Sequence, residues 1–176
     1  MKQLLLLRHA KSDRNGGLED FERPLNARGR KAAPKMAQAM LERSYLPDRA
    51  LVSPALRTRE TWQLMAPLFD ELRVDIEFVD RLYLAPANHI LSVIRQLTPE
   101  VLAPLIVGHN PGIEDLAARL LSEKQTAEGE EALERLKRKF PTCALAVLTF
   151  PIDSWSELGF GTGALIEFLT PSSLED

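Results

Sequence analysis

The sequence holds a single cysteine, Cys143, so no intrachain disulfide can form. Aromatic residues make up only 6% of it, and no apolar run approaches the roughly 20 residues a membrane span requires. The apolar stretch in the opening MKQLLLLRHA is too short for the core of a signal peptide. Charge of one sign is also missing: 22 basic side chains stand against 25 acidic ones, for a net charge of -3. A protein held to nucleic acid by phosphate contacts carries a strongly positive face, and nothing in this balance supplies one. The expectation is a cytoplasmic chain with neither membrane nor nucleic-acid partners.

What is present reads as one domain over residues 1–176. With 45% hydrophobic residues, a chain of this length buries roughly 70% of the surface its unfolded state exposes and needs no disulfide or structural metal to fold. Short continuous apolar runs at 3–7, 50–52 and 105–107 have the pattern of strands buried on both faces. A polar segment over 11–24 follows the first as a surface loop. Helical spacing then predicts helices over 26–43, with Asn26 as cap and Pro34 as a kink or true first turn, and over 53–68, with Ser53 as cap and Pro54 in the first position. A further strand at 75–79, helices at 87–97, 113–121 and 128–139, and two antiparallel strands at 143–150 and 163–169 complete the pattern. The alternation implies an α/β fold: a three-layer αβα arrangement around a mostly parallel sheet.

Three of the apolar runs lead toward unusual residues. The first runs into Arg8-His9, the second reaches Arg57 through Ser53-Pro54, and the third runs into Gly108-His109. In open α/β sheets ligands bind outside the carboxyl ends of the strands, which is where these groups converge. Arg57 also falls in the first turn of its helix, where a cation is disfavoured by roughly 0.3–1 kcal/mol. An anionic ligand beside it removes that cost, gripped through two oxygens by a planar guanidinium. Two such forks and two imidazoles around one point suit a phosphoryl group.

The remaining candidates have plainer readings. His89 begins a helix without a partner in sequence, Trp62, Leu64, Met65 and Leu68 form a core stripe, and Cys143 packs as a small hydrophobe. The cluster Arg135, Lys137, Arg138 and Lys139 follows Glu130, Glu131 and Glu134 along one helix, an order that matches the dipole and reads as a solvated helix end. His9 and Asp13 match no metal-ligand spacing, and two arginine forks repel a divalent cation, so no metal and no cofactor is expected.

Taken together, LLLLRHAKSD, SPALRTRET and VGHNPG resemble the histidine phosphatase superfamily, the fold shared with phosphoglycerate mutases and many acid phosphatases. RPLNARG at 23–29 extends the likeness, and the short chain, DRLYLA at 80–85 and FPTCALAVL look most like the bacterial SixA-type phosphohistidine phosphatases. The resemblance implies that Arg8, His9, Arg57 and His109 are the catalytic set, that Ser12 and Asn15 join Arg8, Arg57 and His109 around the phosphate, and that His9 is the nucleophile. Two positions depart from the pattern. Ala10 stands where the family usually has glycine, and Leu84 stands where the mutases carry a proton-donating glutamate. An alkoxide leaving group needs a proton far more than an imidazole does, so the missing acid favours phosphohistidine on a protein, with a phosphorelay protein as the partner implied. Asp13, Glu60 and Asp80 are the substitute donors to consider. A small-molecule phosphomonoesterase or mutase, and a non-catalytic phosphate-binding module, are the other readings open at this stage.

Overall fold

A computed structural model describes residues 1–14 and 16–175. Its centre is one six-stranded sheet built from β1 (Lys2–Arg8), β2 (Arg49–Val52), β3 (Asp75–Phe78), β4 (Pro104–Gly108), β5 (Leu145–Phe150) and β6 (Ala164–Leu169). The strand order is β3-β2-β4-β1-β5-β6, with β3, β2, β4 and β1 mutually parallel and β5 antiparallel to both its neighbours. The expected αβα architecture with a mostly parallel sheet is present, and the last two strands extend it as an antiparallel pair.

Alternation along the central strands sorts the core into two layers, because successive side chains point to opposite faces. Leu4, Leu6, Leu51 and Ile106 pack against α3 (Ala87–Arg95), α4 (Gly112–Leu120) and α5 (Ala127–Arg138). Leu5, Leu7, Val52, Leu105 and Val107 face α1 (Ala27–Glu42) and α2 (Leu56–Met65), where Met36, Met40, Trp62 and Met65 are buried. Cys143 lies in the second layer, its thiol pushed up to about 12 by burial, which suits an inert packing role. Among the described residues no helix is long and apolar enough to cross a membrane.

Element ends shift from the sequence pattern in instructive ways. Asn26 caps α1 by accepting from the Gly29 N–H, and Pro34 sits inside the helix instead of starting it. Ser53 does not cap α2, which begins at Leu56 after Ala55 with no side-chain cap; its hydroxyl accepts from the Ala55 N–H at 3.5 Å and lies 2.7 Å from His109 Nε2. The helical stretch does not run unbroken to residue 68: it tightens after Met65 into a 3-10 segment, Ala66–Leu72.

The neighbours β1 and β4 are followed by helices on opposite faces, α1 and α4, and this divergence opens a crevice at their carboxyl ends. Two glycines allow the walls to close in. A Cβ on Gly29 would lie 2.2 Å from the Lys11 carbonyl oxygen, and one on Gly112 would lie 1.9 Å from that of Ala85. Only glycine lets α1 meet the loop after β1, and α4 meet the segment after β3, this closely.

Candidate functional site

Sheet register determines where the candidates meet. Arg8 pairs with Gly108 across β1 and β4, so the next residue on each strand, His9 and His109, emerges side by side with ring centroids 5.4 Å apart. Val52 pairs with Val107, which brings Ser53 alongside, and its hydroxyl lies 2.7 Å from His109 Nε2. From α2, Arg57 reaches across with Nη2 at 3.3 Å from His109 Nδ1. That helix is tied down locally: the Thr58 hydroxyl donates to the Ser53 carbonyl at 2.7 Å, and the Ala10 N–H donates to Thr61 Oγ1 at 3.0 Å. Ala10 is fully buried and accommodated, although the family usually has glycine there.

Arg8, His9, Ser12, Arg57 and His109 all line one open pocket of about 550 Å³. The Ser12 hydroxyl is engaged by Arg23 Nη1 at 2.9 Å. Asn15 lies outside the described residues. His89 is exposed on α3, away from the pocket.

The electrostatics favour a neutral imidazole pair. Burial, reinforced by the neighbouring His109, Arg57 and Arg8 charges, pushes His9 down to about 3 against the pull of its bond to the Ala10 carbonyl. That contact, 2.7 Å from Nδ1, assigns the proton to Nδ1 and leaves Nε2 with a free lone pair. Burial, then Arg57, likewise brings His109 down to about 3. Arg57 is 2% exposed. It donates through Nη1 to the Asp20 carbonyl at 2.8 Å and through Nη2 to the Asp20 carboxylate at 3.1 Å. Its Nε, and that of Arg8, are buried without a hydrogen-bond partner. A buried charged donor left unpaired is expensive, about 1–3 kcal/mol or more, and oxyanion oxygens in this pocket are the natural acceptors.

Of the candidate proton donors, none lines the pocket. The Glu60 carboxylate accepts from the Leu25 N–H at 2.8 Å, Asp80 opens a 3-10 turn, and Asp13 is half-buried in the loop. The carboxylate that does line it is Asp20, on a 3-10 turn, Asp20–Glu22, that sequence reasoning passed over. Partial burial works to raise Asp20, but the Tyr83 hydroxyl, Arg23 and Arg57 outweigh it and hold the carboxyl down at about 2. Tyr83 also stacks edge-on against His109, with centroids 5.6 Å apart. Beside it Leu84, at φ 50° and 53% exposed, faces the pocket from the left-handed region that a leucine rarely adopts. Among the described residues no group of three or more His, Cys, Asp or Glu is placed to hold a metal ion.

Residues 4–83 match the histidine phosphatase superfamily (branch 1). A solved SixA protein of Agrobacterium tumefaciens, assigned to the phosphohistidine phosphatases, is 36% identical, with 97% of this chain and 98% of that one covered and a TM-score of 0.76. The chain belongs to the histidine phosphatase superfamily. A SixA protein of Nakamurella multipartitia is similar as well, at 25% identity, 97% and 96% coverage and a TM-score of 0.82. An uncharacterized protein of Mycobacterium tuberculosis is 34% identical over 94% of this chain and 99% of its own length. The superfamily match spans Arg8, His9 and Arg57; His109 lies beyond it and joins them through the pairing of β1 with β4.

Proposed function

We propose that the protein is a phosphohistidine phosphatase that works through a phosphorylated His9. Nε2 of His9 attacks phosphorus in line, the P–N bond of the substrate breaks, and its electron pair leaves on the substrate imidazole. That ring departs neutral when its other nitrogen carries a proton, so the enzyme need not supply one. Water then attacks the phosphorus, the bond to Nε2 breaks, and inorganic phosphate leaves. The Nδ1–H bond to the Ala10 carbonyl keeps the His9 ring oriented throughout and makes it a competent leaving group in the second step.

Arg8 and Arg57 hold the equatorial oxygens through donors already fixed and desolvated, the arrangement that stabilises developing charge most effectively. His109 assists once a phosphate oxygen takes up Arg57 Nη2 and Ser53 donates to Nε2, because Nδ1 then carries the proton and is free to point at a phosphate oxygen. Ser12 contributes at the edge of the phosphate, through its hydroxyl. Asn15 is proposed beside it on the strength of the sequence motif alone.

The observation that carries this reading is the state of Asp20. Among the described residues it is the carboxylate that lines the pocket, and its oxygens are taken up as acceptors by Arg23, Arg57 and the Tyr83 hydroxyl, which hold the carboxyl down at about 2. A pocket that offers no protonated carboxyl to a leaving alkoxide suits a P–N bond and serves an ester poorly. The solved SixA relatives support the same substrate class. A protein-borne phosphohistidine, as in a phosphorelay, fits the openness of the pocket.

The test is to mix the protein with a phosphohistidine peptide and with aryl and sugar phosphates, and to follow phosphate release. Preference for the phosphohistidine peptide, with an acid-labile label mapping to His9, is expected. Ester hydrolysis at equal or greater kcat/KM would overturn the substrate assignment, and phosphate binding with no label on His9 would overturn catalysis altogether.

A further inference from the structure

The phosphate seat is only the floor of its cavity. A volume of about 550 Å³ is typical of pockets that take a whole drug-sized ligand, roughly 300–1,000 Å³, and is several times what one phosphoryl group fills. Around its mouth stand four further cations. Lys11 and Arg14 come from the loop after β1, Arg28 from the first turn of α1, and Lys139 from the residue that ends α5. All four are exposed, and among the described residues none has a carboxylate within ion-pair distance. Arg23 contrasts with them: it lines the same pocket but is committed to Asp20 at 3.0 Å.

The concentration of charge is unusual for this chain. Its net charge is -3, yet among the described residues one carboxylate faces all the cations of the pocket, so the acidic excess lies elsewhere in the chain. Arg28 adds a second anomaly of the kind Arg57 shows, because the first turn of α1 contains no acidic residue and disfavours a cation. A phosphoryl group is served by the two forks below and cannot reach four side chains on three separate segments. A small metabolite with a second anionic group would call for a converging, buried fork; these side chains are dispersed and solvated. Exposed Leu84 and the prolines Pro141 and Pro171 line the same pocket, the mixture of apolar and charged groups found at protein interfaces.

We infer that the mouth of the pocket is a docking surface for the acidic face of a substrate protein, with Lys11, Arg14, Arg28 and Lys139 pairing with carboxylates that flank its phosphohistidine. The inference rests on the proposed function and adds the chemistry that selects among phosphohistidine proteins. Attraction of this kind acts before contact is made, raises the association rate, and weakens as salt shortens the Debye length.

The experiment uses two synthetic peptides of equal length, each with one phosphohistidine, flanked in one by glutamates and in the other by lysines, with phosphoramidate as the comparison that has no flanking residues. The full-length protein and the triple variant Lys11→Glu, Arg28→Glu, Lys139→Glu are compared at low and high salt. The expected result is a kcat/KM for the glutamate-flanked peptide about 10-fold or more above that of its lysine-flanked counterpart, lost in the triple variant mainly through KM, with kcat for phosphoramidate unchanged. Equal kcat/KM for the two peptides, or a preference that the triple variant keeps, overturns the docking surface while leaving the phosphatase reading intact. If no phosphohistidine compound is turned over, that reading has failed by itself. The docking surface is then judged by equilibrium binding of the two peptides to the His9→Ala protein: tighter, salt-sensitive binding of the acidic peptide upholds it, and equal binding overturns it.

Discussion

Arg57 and Arg28 occupy equivalent places, each in the first turn of a helix beside the same pocket, and differ in almost everything else. Arg57 is buried, fixed by two bonds to Asp20 and one contact with His109, and retains one unpaired nitrogen. Arg28 is exposed and has no ionic partner among the described residues. Burial with fixed geometry makes a cation worth a great deal to one anion at one point; exposure makes it useful at a distance to many. On the proposed reading the floor of the pocket is where chemistry is decided, and the rim is where a partner is selected.

The largest effect expected from breaking the floor is at His9. Substituting His9→Ala removes the proposed nucleophile, and both turnover and the phosphoryl adduct should vanish by mass spectrometry under neutral conditions. An adduct on another residue would reassign the nucleophile. Next comes Arg57→Lys, which keeps the charge and loses the planar fork. It should lower kcat by about 10²–10³, the cost of losing one fixed oxyanion donor, whereas Arg28→Lys should leave phosphoramidate turnover as it was. Comparable losses in the two variants would erase the distinction between floor and rim.

Acid separates the two regions by another route. His9 and His109 stay neutral in the folded protein to about 3, whereas in the unfolded chain they take up protons near pH 6.5. The unfolded state thus binds more protons throughout the window from about 6.5 down to 3, and stability must fall as pH falls through it. The slope reaches about 1.4 kcal/mol per pH unit for each histidine. Denaturant titrations between pH 7 and 5 should show this decline and should show less of it in His109→Gln. Phosphoramidate turnover, corrected for ionisation of the substrate, should meanwhile show no inflection near 6.5, since the His9 lone pair is never withdrawn there. An inflection at 6.5 that disappears on changing His9 would contradict its buried, neutral state.

Most of the floor was legible in the sequence because it is attached to strand ends. An apolar run has a definite last residue, so Arg8, His9 and His109 could be placed before any coordinate was known, and the helix-start position of Arg57 marked it as electrostatically misplaced. Strands and helices were recovered to within a few residues for the same reason: their apolar positions recur with a period. Asp20 and Tyr83 had no such signal. The loop carrying Asp20 is held by a non-local bridge between Ser12 and Leu25 and by the reach of Arg57, neither of which leaves a pattern in a polar stretch. Ser53 was hidden by ambiguity, since serine before proline is a sound helix cap until a histidine competes for its hydroxyl. Lys139 was hidden by a correct inference applied too widely: the basic end of α5 does suit the dipole, yet one of its members also borders the pocket.

Ser53 tests how the floor is tuned. Arg57 Nη2 can only donate, so its contact with Nδ1 puts the His109 proton on Nε2 and toward the Ser53 hydroxyl; when an oxyanion takes up Nη2 instead, that hydroxyl can turn to donate to Nε2 and the proton moves to Nδ1. Ser53→Ala removes the group able to donate to Nε2, so His109 loses its means of presenting Nδ1–H to phosphate. The expected loss is about 10-fold in kcat, in line with one net hydrogen bond of roughly 1–1.5 kcal/mol, with restoration by Ser53→Thr. Unchanged kcat in the alanine variant would remove His109 from charge stabilisation.

The smallest expected change belongs to the most conspicuous new residue. Asp20 sits where a general acid would be sought, bonded to Arg57 and to the Tyr83 hydroxyl, and its position alone invites that role. Its ionisation argues the reverse. A carboxyl at about 2 has no proton at neutral pH, and what it supplies is a counter-charge that steadies Arg57 while the pocket holds no anion. Asp20→Asn keeps the shape and removes the charge, so phosphohistidine turnover should stay within about fivefold of the parent protein, the scale of a partly exposed ion pair worth roughly 1 kcal/mol or less. Inorganic phosphate should inhibit the variant more strongly, because Arg57 no longer shares its Nη2 with a carboxylate. A fall of 100-fold or more, greater for esters than for phosphoramidate, would instead make Asp20 the missing acid and turn the substrate preference toward esters.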